Sequence, residues 1–256
     1  MPKFIGLAGD FQKEKAFNRR LNAMMAFFIL FAVTTFVLGW VSGFIWGRRS
    51  LWSYLLAFIA FAVAVPAYKL FEKLFDKQIR TARLEEVGAD GEREFLKFLK
   101  DLPDTYTVIS DLDFADSYGN IDHLIIGPTG VFAIDVKSWR GTVTSDGKGE
   151  LLLNANPTDK PQVKYFTRRV MDLRSRLNAL TKLEPFVQCL FVFTHTHIKA
   201  KWGTTGHVHC ISGEQIDEYI TGFRGAKPIP PADIPRLIAG AKALKDSIAV
   251  KENPKS

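Results

Sequence analysis

A chain of 256 residues, 47% hydrophobic and 24% charged, is long enough for one sizeable domain or two small ones and has an ordinary composition for a globular protein. Its two cysteines, Cys189 and Cys210, lack metal or redox spacing and exclude a disulfide framework, as expected of a reduced compartment. The formal net charge of +7 is partly accounted for by the basic flanks of apolar segments, so the total alone says little about a nucleic-acid partner.

Residues 1–20 read as a cytoplasmic N-terminal segment and residues 21–70 as a transmembrane helical hairpin. From Leu21 to Trp46 no charged side chain occurs, and a second clean run follows from Leu51 to Tyr68. A helix needs roughly 20 mostly apolar residues to cross the ~30 Å hydrocarbon core, so each run can span. A secretory signal fits poorly, because the first run begins after a long polar segment, exceeds the usual h-region and lacks an A-x-A-like site. The alternative of buried soluble helices must accept a turn, "GRRS", that makes the two runs adjacent antiparallel neighbours. Pro66 falls in the last turns of the second run, where membrane helices tolerate it, and Trp40, Trp46, Trp52 and Tyr54 suit an interfacial belt. Lys13, Lys15, Arg19 and Arg20 precede the first run, and Lys69, Lys73, Lys77, Arg80 and Arg83 follow the second. Only Arg48 and Arg49 lie between them. The positive-inside rule therefore places both termini on the cytoplasmic side of a cell membrane.

Residues 71–86 read as a juxtamembrane helix, followed by a break at Gly88 and Gly91 and a new helix. Phe95, Leu96, Leu99 and Leu102 form its apolar stripe, and Glu92 lies on the same side. A first-turn glutamate that complements the helix dipole is the alternative use for Glu92. Strand-like pieces follow at Tyr106–Ser110, in the hairpin from Asn120 to Trp139, and at Gly149–Asn154, Phe186–Thr194 and Gly206–Ser212. Helices are expected from about Gln162 to Ala179 and from Glu214 to Tyr219. Strands interleaved with such helices indicate an α/β core with a mixed sheet over residues 87–222. Residues 223–256 read as a Pro-rich connector, a C-terminal amphipathic helix and a tail.

The hairpin "NIDHLIIGPTGVFAIDVKSW" carries the chemistry. Pro128, Thr129 and Gly130 supply its turn, and period-two alternation puts Asp135 and Lys137 on one face. If Ile126 faces Val131, then Leu124 faces Ala133 and Asp122 faces Asp135; a two-residue slip would keep both aspartates on one face, whereas a one-residue slip would separate them. Like charges directly opposed on a sheet destabilise it, and a divalent cation removes the conflict. Mg²⁺ takes oxygen ligands from one or two carboxylates while keeping waters, with Mn²⁺ as a substitute. Lys137 can then orient an attacking water or stabilise phosphorane charge. The competing reading is a half-buried salt bridge between Asp122 and Lys137 that binds nothing.

"GADGERE", "GNIDHLIIGPTGVFAIDVKSWRG" and "NPTDKPQ" together resemble the NERD, or nuclease-related, domain within the PD-(D/E)XK restriction-endonuclease-like superfamily, over about Val87 to Thr194. The resemblance implies a restriction-endonuclease-like mixed sheet flanked by helices. Glu92 matches the family's helix glutamate, Asp122 the aspartate of the first core strand, Asp135 the acidic position of the (D/E)-x-K motif and Lys137 its lysine. Gln162 matches a glutamine that touches the site or substrate. The carbonyl of Val136 becomes a further metal ligand beside Asp122, Asp135 and Glu92. Similar domains often carry glutamate where this chain has Asp135.

Lys160, Lys164, Arg168 and Arg169, with Arg174 and Arg176 further along, lie on or beside the Gln162 helix. A basic helix next to an acidic metal site can hold a phosphodiester backbone, DNA being favoured; an ordinary solvated helix face is the plain alternative. Trp139 and Arg140 read as base or backbone contacts, with a buried indole as the alternative. His195, His197, His207 and His209 offer a rival zinc reading, although structural zinc sites show tighter Cys/His spacing. His123 lies on the face opposite Asp122 and reads as packed. Two function classes follow: a membrane-anchored Mg²⁺-dependent nuclease, and a non-catalytic membrane-tethered module that binds nucleic acid or protein with the same fold.

Overall fold

A computed structural model describes residues 1–6, 10–47, 51–112, 119–198, 208–225 and 228–252; for most of 51–67 and for 247–252 only the backbone is described. The elements in chain order are β1 (Lys3–Ile5), α1 (Asp10–Gly47), α2 (Leu51–Phe98), β2 (Thr107–Leu112), β3 (Ile121–Gly127) and β4 (Gly130–Lys137). They continue with β5 (Gly141–Ser145), β6 (Leu151–Leu153), β7 (Asn156–Pro157), α3 (Gln162–Thr181), β8 (Val187–Phe193) and β9 (Thr196–Ile198). Last come β10 (Val208–Ser212), a 3₁₀ turn at Gly213–Gln215, α4 (Ile216–Gly222) and α5 (Ile234–Glu252). The chain divides into two compact units: Met1–Phe11 with Val87–Ser256, and Gln12–Glu86.

The larger unit is built on a six-stranded mixed sheet in the order β1-β2-β3-β4-β8-β10. β2, β3 and β4 run as an antiparallel meander, while β1 joins β2, β8 joins β4 and β10 joins β8 in parallel. Parallel neighbours require crossovers, and α3 supplies the one between β4 and β8. Phe166, Val170, Leu173 and Leu177 of α3, with Leu237 and Ala241 of α5, pack on Leu124, Ile126, Val131 and Ala133. The other face is covered by Phe95, Leu99 and Leu102 from the end of α2 and just beyond it, and by Ile216 and Ile220 of α4. Each strand at the centre is buried on both faces, which is why its sequence reads as a nearly continuous apolar run. This is the mixed α/β sheet flanked by helices that the family resemblance implies. A second, four-stranded sheet, β7-β6-β5-β9, adjoins it in sequence.

Two features differ from expectation. β1 was not foreseen; it adds the N-terminal residues Lys3–Ile5 to the sheet, opposite Thr107–Ile109. The break at Gly88 and Gly91 is absent, and α2 is helical through both. Gly91 serves close packing instead, since a Cβ there would lie 1.6 Å from the Oγ of Ser138 and 2.9 Å from its Cβ. Helices accept glycine at a cost of about 1 kcal/mol relative to alanine, so one glycine need not end a helix.

In the smaller unit, one helix among the described residues, Ala16–Gly43, is long and apolar enough to cross a membrane. Its side chains at Phe28, Ile29, Phe31 and Phe36 are exposed. Phe27 of α1 meets Phe71 and Phe75 of α2 at ring separations of 6.4 and 6.5 Å, and Arg20 pairs with Glu86 at 2.5 Å. Earlier residues of α1 thus meet later residues of α2, the order of an antiparallel pair. A second span is not established by composition among the described residues, and residues 48–50 of the "GRRS" turn lie outside them.

Candidate active site

The hairpin adopts the register that its alternation predicts: Ile126 lies opposite Val131 and Leu124 opposite Ala133, with the last pair at His123 and Ile134. Asp122 and Asp135 come next, and there β3 and β4 stop pairing. β4 continues instead along β8 as far as Lys137 opposite Phe193. The main-chain N–H of Val136 donates to Oδ2 of Asp122 at 2.7 Å. On the other side of β3, the pairing with β2 passes over Asp111, which takes a left-handed φ of 53° between the partners Ser110–His123 and Leu112–Ile121. Asp122 therefore sits where the sheet opens on both flanks.

Asp122 and Asp135 are 6% and 2% exposed and project to the α3 face, as Leu124 and Ala133 do. The Lys137 ammonium lies 2.5 Å from Oδ1 of Asp135, so the ion pair falls on Asp135 and not on Asp122. Its Nζ also stands 5.5 Å from the Phe191 ring and 5.9 Å from that of Trp139. The second oxygen of Asp135 accepts from Nη2 of Arg169 at 2.6 Å, and Nη1 of the same guanidinium donates to the carbonyl of Asn120. Arg169 thus departs from its expected place among phosphate-facing residues: it belongs to the buried stripe of α3 with Phe166, Val170 and Leu173.

Electrostatics separate the two acids. Burial, and then the negative charge of Asp135, raise the pKa of Asp122 to about 7 against the pull of Lys137, the Val136 N–H and Arg169. Burial acts upward on Asp135 too, but the charges and hydrogen bonds of Lys137 and Arg169 outweigh it and hold that carboxyl below the usual range. One acid is thereby kept ionised while its neighbour titrates near neutrality.

Glu92 is 2% exposed and sits on the turn of α2 whose Gly91 abuts Ser138, one residue past Lys137. That helix covers the opposite sheet face, where Phe95 packs on His123 at a ring separation of 4.9 Å. His123 is packed, as expected; Ser110 bonds its Nδ1 at 3.0 Å, and burial, with the charge of Lys245, lowers its pKa to about 3. Gln162 opens α3. The N–H groups of Val163 and Lys164 are capped by Glu150 at 3.0 and 2.9 Å, a tie between distant residues that no local spacing reveals. Lys160, Lys164 and Arg168 are exposed at this end of the helix. Trp139 is half-buried, 5.7 Å from the Phe193 ring.

Among the described residues no group of three or more His, Cys, Asp and Glu could hold a metal ion. His195 pairs with Glu94 at 2.9 Å and His209 with the Tyr219 hydroxyl at 2.7 Å; His207 and the side chain of His197 lie outside the described residues. For a hard divalent cation the fit is to the two aspartates alone. Their oxygens are the right donors for Mg²⁺. Burial, and then the charge of Asp135, make ionisation of Asp122 costly, and a cation shared by the two carboxylates would offset that cost.

No curated protein and no solved structure matches this chain. Residues 87–194, which hold Glu92, Asp122, Asp135, Lys137 and Gln162, match the NERD family, the nuclease-related domain.

Proposed function

We propose that the chain is a membrane-anchored, metal-dependent nuclease that hydrolyses phosphodiester bonds, with DNA the favoured substrate. The observation that carries this reading is the burial of Asp122 and Asp135 at the parting of β3 and β4, with the Lys137 ammonium 2.5 Å from Asp135. Asp122, Asp135 and the Val136 carbonyl would hold the ion, while Glu92, on the helix that covers the other face of the sheet, forms no three-acid group with them. Bound there, Mg²⁺ or Mn²⁺ would polarise the scissile phosphate and lower the pKa of a water. Lys137 orients that water and offsets charge gathering on the phosphate. Gln162 and the exposed Lys160, Lys164 and Arg168 seat the nucleic-acid backbone beside the acids.

Anchoring is supported by two features of the chain itself. Lys3–Ile5 pair with β2 inside the nuclease-related sheet, so the residues on either side of the apolar helices share one compartment. The chain between them must then cross a bilayer an even number of times. The antiparallel pairing of α1 with α2 suits two crossings, and the basic flanks put the nuclease-related unit on the cytoplasmic side.

A second reading, a non-catalytic module that binds nucleic acid or protein, is favoured by the saturation of Asp135, both of whose oxygens are taken by cationic side chains. The purified full chain in detergent micelles, given Mg²⁺ or Mn²⁺ and labelled DNA or RNA, separates the two. Cleavage that falls about 100-fold or more in Asp122→Ala and in Lys137→Ala supports the nuclease. Binding without turnover, indifferent to chelator, supports the module.

A further inference from the structure

The helical spacing of α3 places Arg169 three residues from Phe166 and one before Val170, inside the stripe that faces the sheet. An arginine in such a position loses hydration worth several kcal/mol and is retained where its planar fork finds acceptors. Here the fork has two, both belonging to the site. Nη2 reaches Oδ2 of Asp135 at 2.6 Å, and Nη1 reaches the carbonyl of Asn120, the residue before β3. The guanidinium carbon also lies 5.2 Å from the Phe166 ring centroid. Lys137 holds the other oxygen of Asp135 with a side chain that is 17% exposed, so it has room to swing; Arg169, at 10%, does not.

We infer that Arg169 is a positioning residue that sets how tightly the aspartate pair takes a divalent cation: its guanidinium occupies the inner side of Asp135 and must release Oδ2 before an ion can share that carboxylate. The inference rests on the metal reading above and concerns the strength of ion binding, not turnover. Removing the guanidinium removes a unit of positive charge within a few ångströms of the ion's place and frees one oxygen. Divalent-ion affinity should therefore rise by about tenfold.

The test is Mn²⁺ binding to the full chain in detergent micelles, followed by calorimetry and by the Mn²⁺ paramagnetic signal at about pH 8. Arg169→Gln should bind Mn²⁺ about tenfold more tightly than the parent. Arg169→Lys, which keeps the charge but loses the fork and so yields more readily, should bind a few-fold more tightly. If Arg169→Gln does not fold, the lysine variant decides the question. Unchanged or weaker binding by a folded variant, with Mn²⁺ binding intact in the parent, overturns the inference alone. No Mn²⁺ binding by any of the proteins overturns the metal reading and this inference with it.

Discussion

The N–H of Val136 donates to the carboxylate of Asp122, so a side chain on β3 completes the hydrogen bonding of β4 where the two main chains part. That bond needs only an acceptor oxygen, which an amide also provides.

Asp122→Asn should therefore fold, and it should expose opposed pH dependences. A carboxyl raised from 3.8 to about 7 binds more protons folded than unfolded between those values, so its contribution to stability falls as pH rises through that window. His123, lowered from 6.5 to about 3, binds fewer protons when folded, so its contribution rises with pH over nearly the same range. In the parent the two slopes offset each other. In Asp122→Asn the downward contribution of Asp122 is lost, so stability should rise with pH more steeply than in the parent, by up to about 1.4 kcal/mol per pH unit. Thermal melts of both proteins between about pH 4 and 6.5 read the difference, which disappears if these groups do not titrate as assigned.

Gly91→Val should destabilise the larger unit by about 2 kcal/mol, because a side chain at this position overlaps Ser138. Removing the obstacle in the double variant with Ser138→Gly should recover at least half of that loss. A denaturation cycle over the four proteins measures the coupling, and additive effects would show that the two residues do not meet.

Glu150→Ala should cost about 1–2 kcal/mol, since the N–H groups of Val163 and Lys164 lose their acceptor at the start of α3. Glu150→Gln should cost less. If the alanine variant melts with the parent, water replaces the cap at no loss.

Ile5→Pro should remove β1 from the sheet, as proline supplies no N–H and resists pairing. A drop in the melting temperature of the larger unit, without change in membrane extraction, is the expected result. In sealed vesicles, a label at residue 2 and one in α5 should be protected or exposed together; opposite accessibility would rule out an even number of crossings.

The hairpin was legible because its apolar alternation and its Pro128–Thr129–Gly130 turn suggest the register with Ile126 opposite Val131, which the strands adopt and which leaves Asp122 and Asp135 on one face. The extent of α3 was legible from its 3.6-residue stripe. The same stripe contains Arg169, but the side chain's charge pointed toward solvent, and its buried partners come from β4 and from Asn120, far away in sequence. Glu150 was missed for a related reason: caps are recognised from residues just before a helix, and this one arrives from the β5–β6 connection. A three-residue parallel edge strand such as Lys3–Ile5 carries too little pattern to announce its partner. Gly91 was read through its conformational freedom, whereas its use is the absence of bulk beside Ser138.

The placement of β1 also bears on biogenesis. The ribosome releases Lys3–Ile5 first, yet their partner strand Thr107–Leu112 emerges only after both long helices have been made. The six-stranded sheet cannot close during early translation, and Lys3–Ile5 must wait unpaired until α1 and α2 have been made. Completion of the sheet therefore comes after synthesis of both long helices, so the nuclease-related residues 87–194 are the last to settle around a strand made before them.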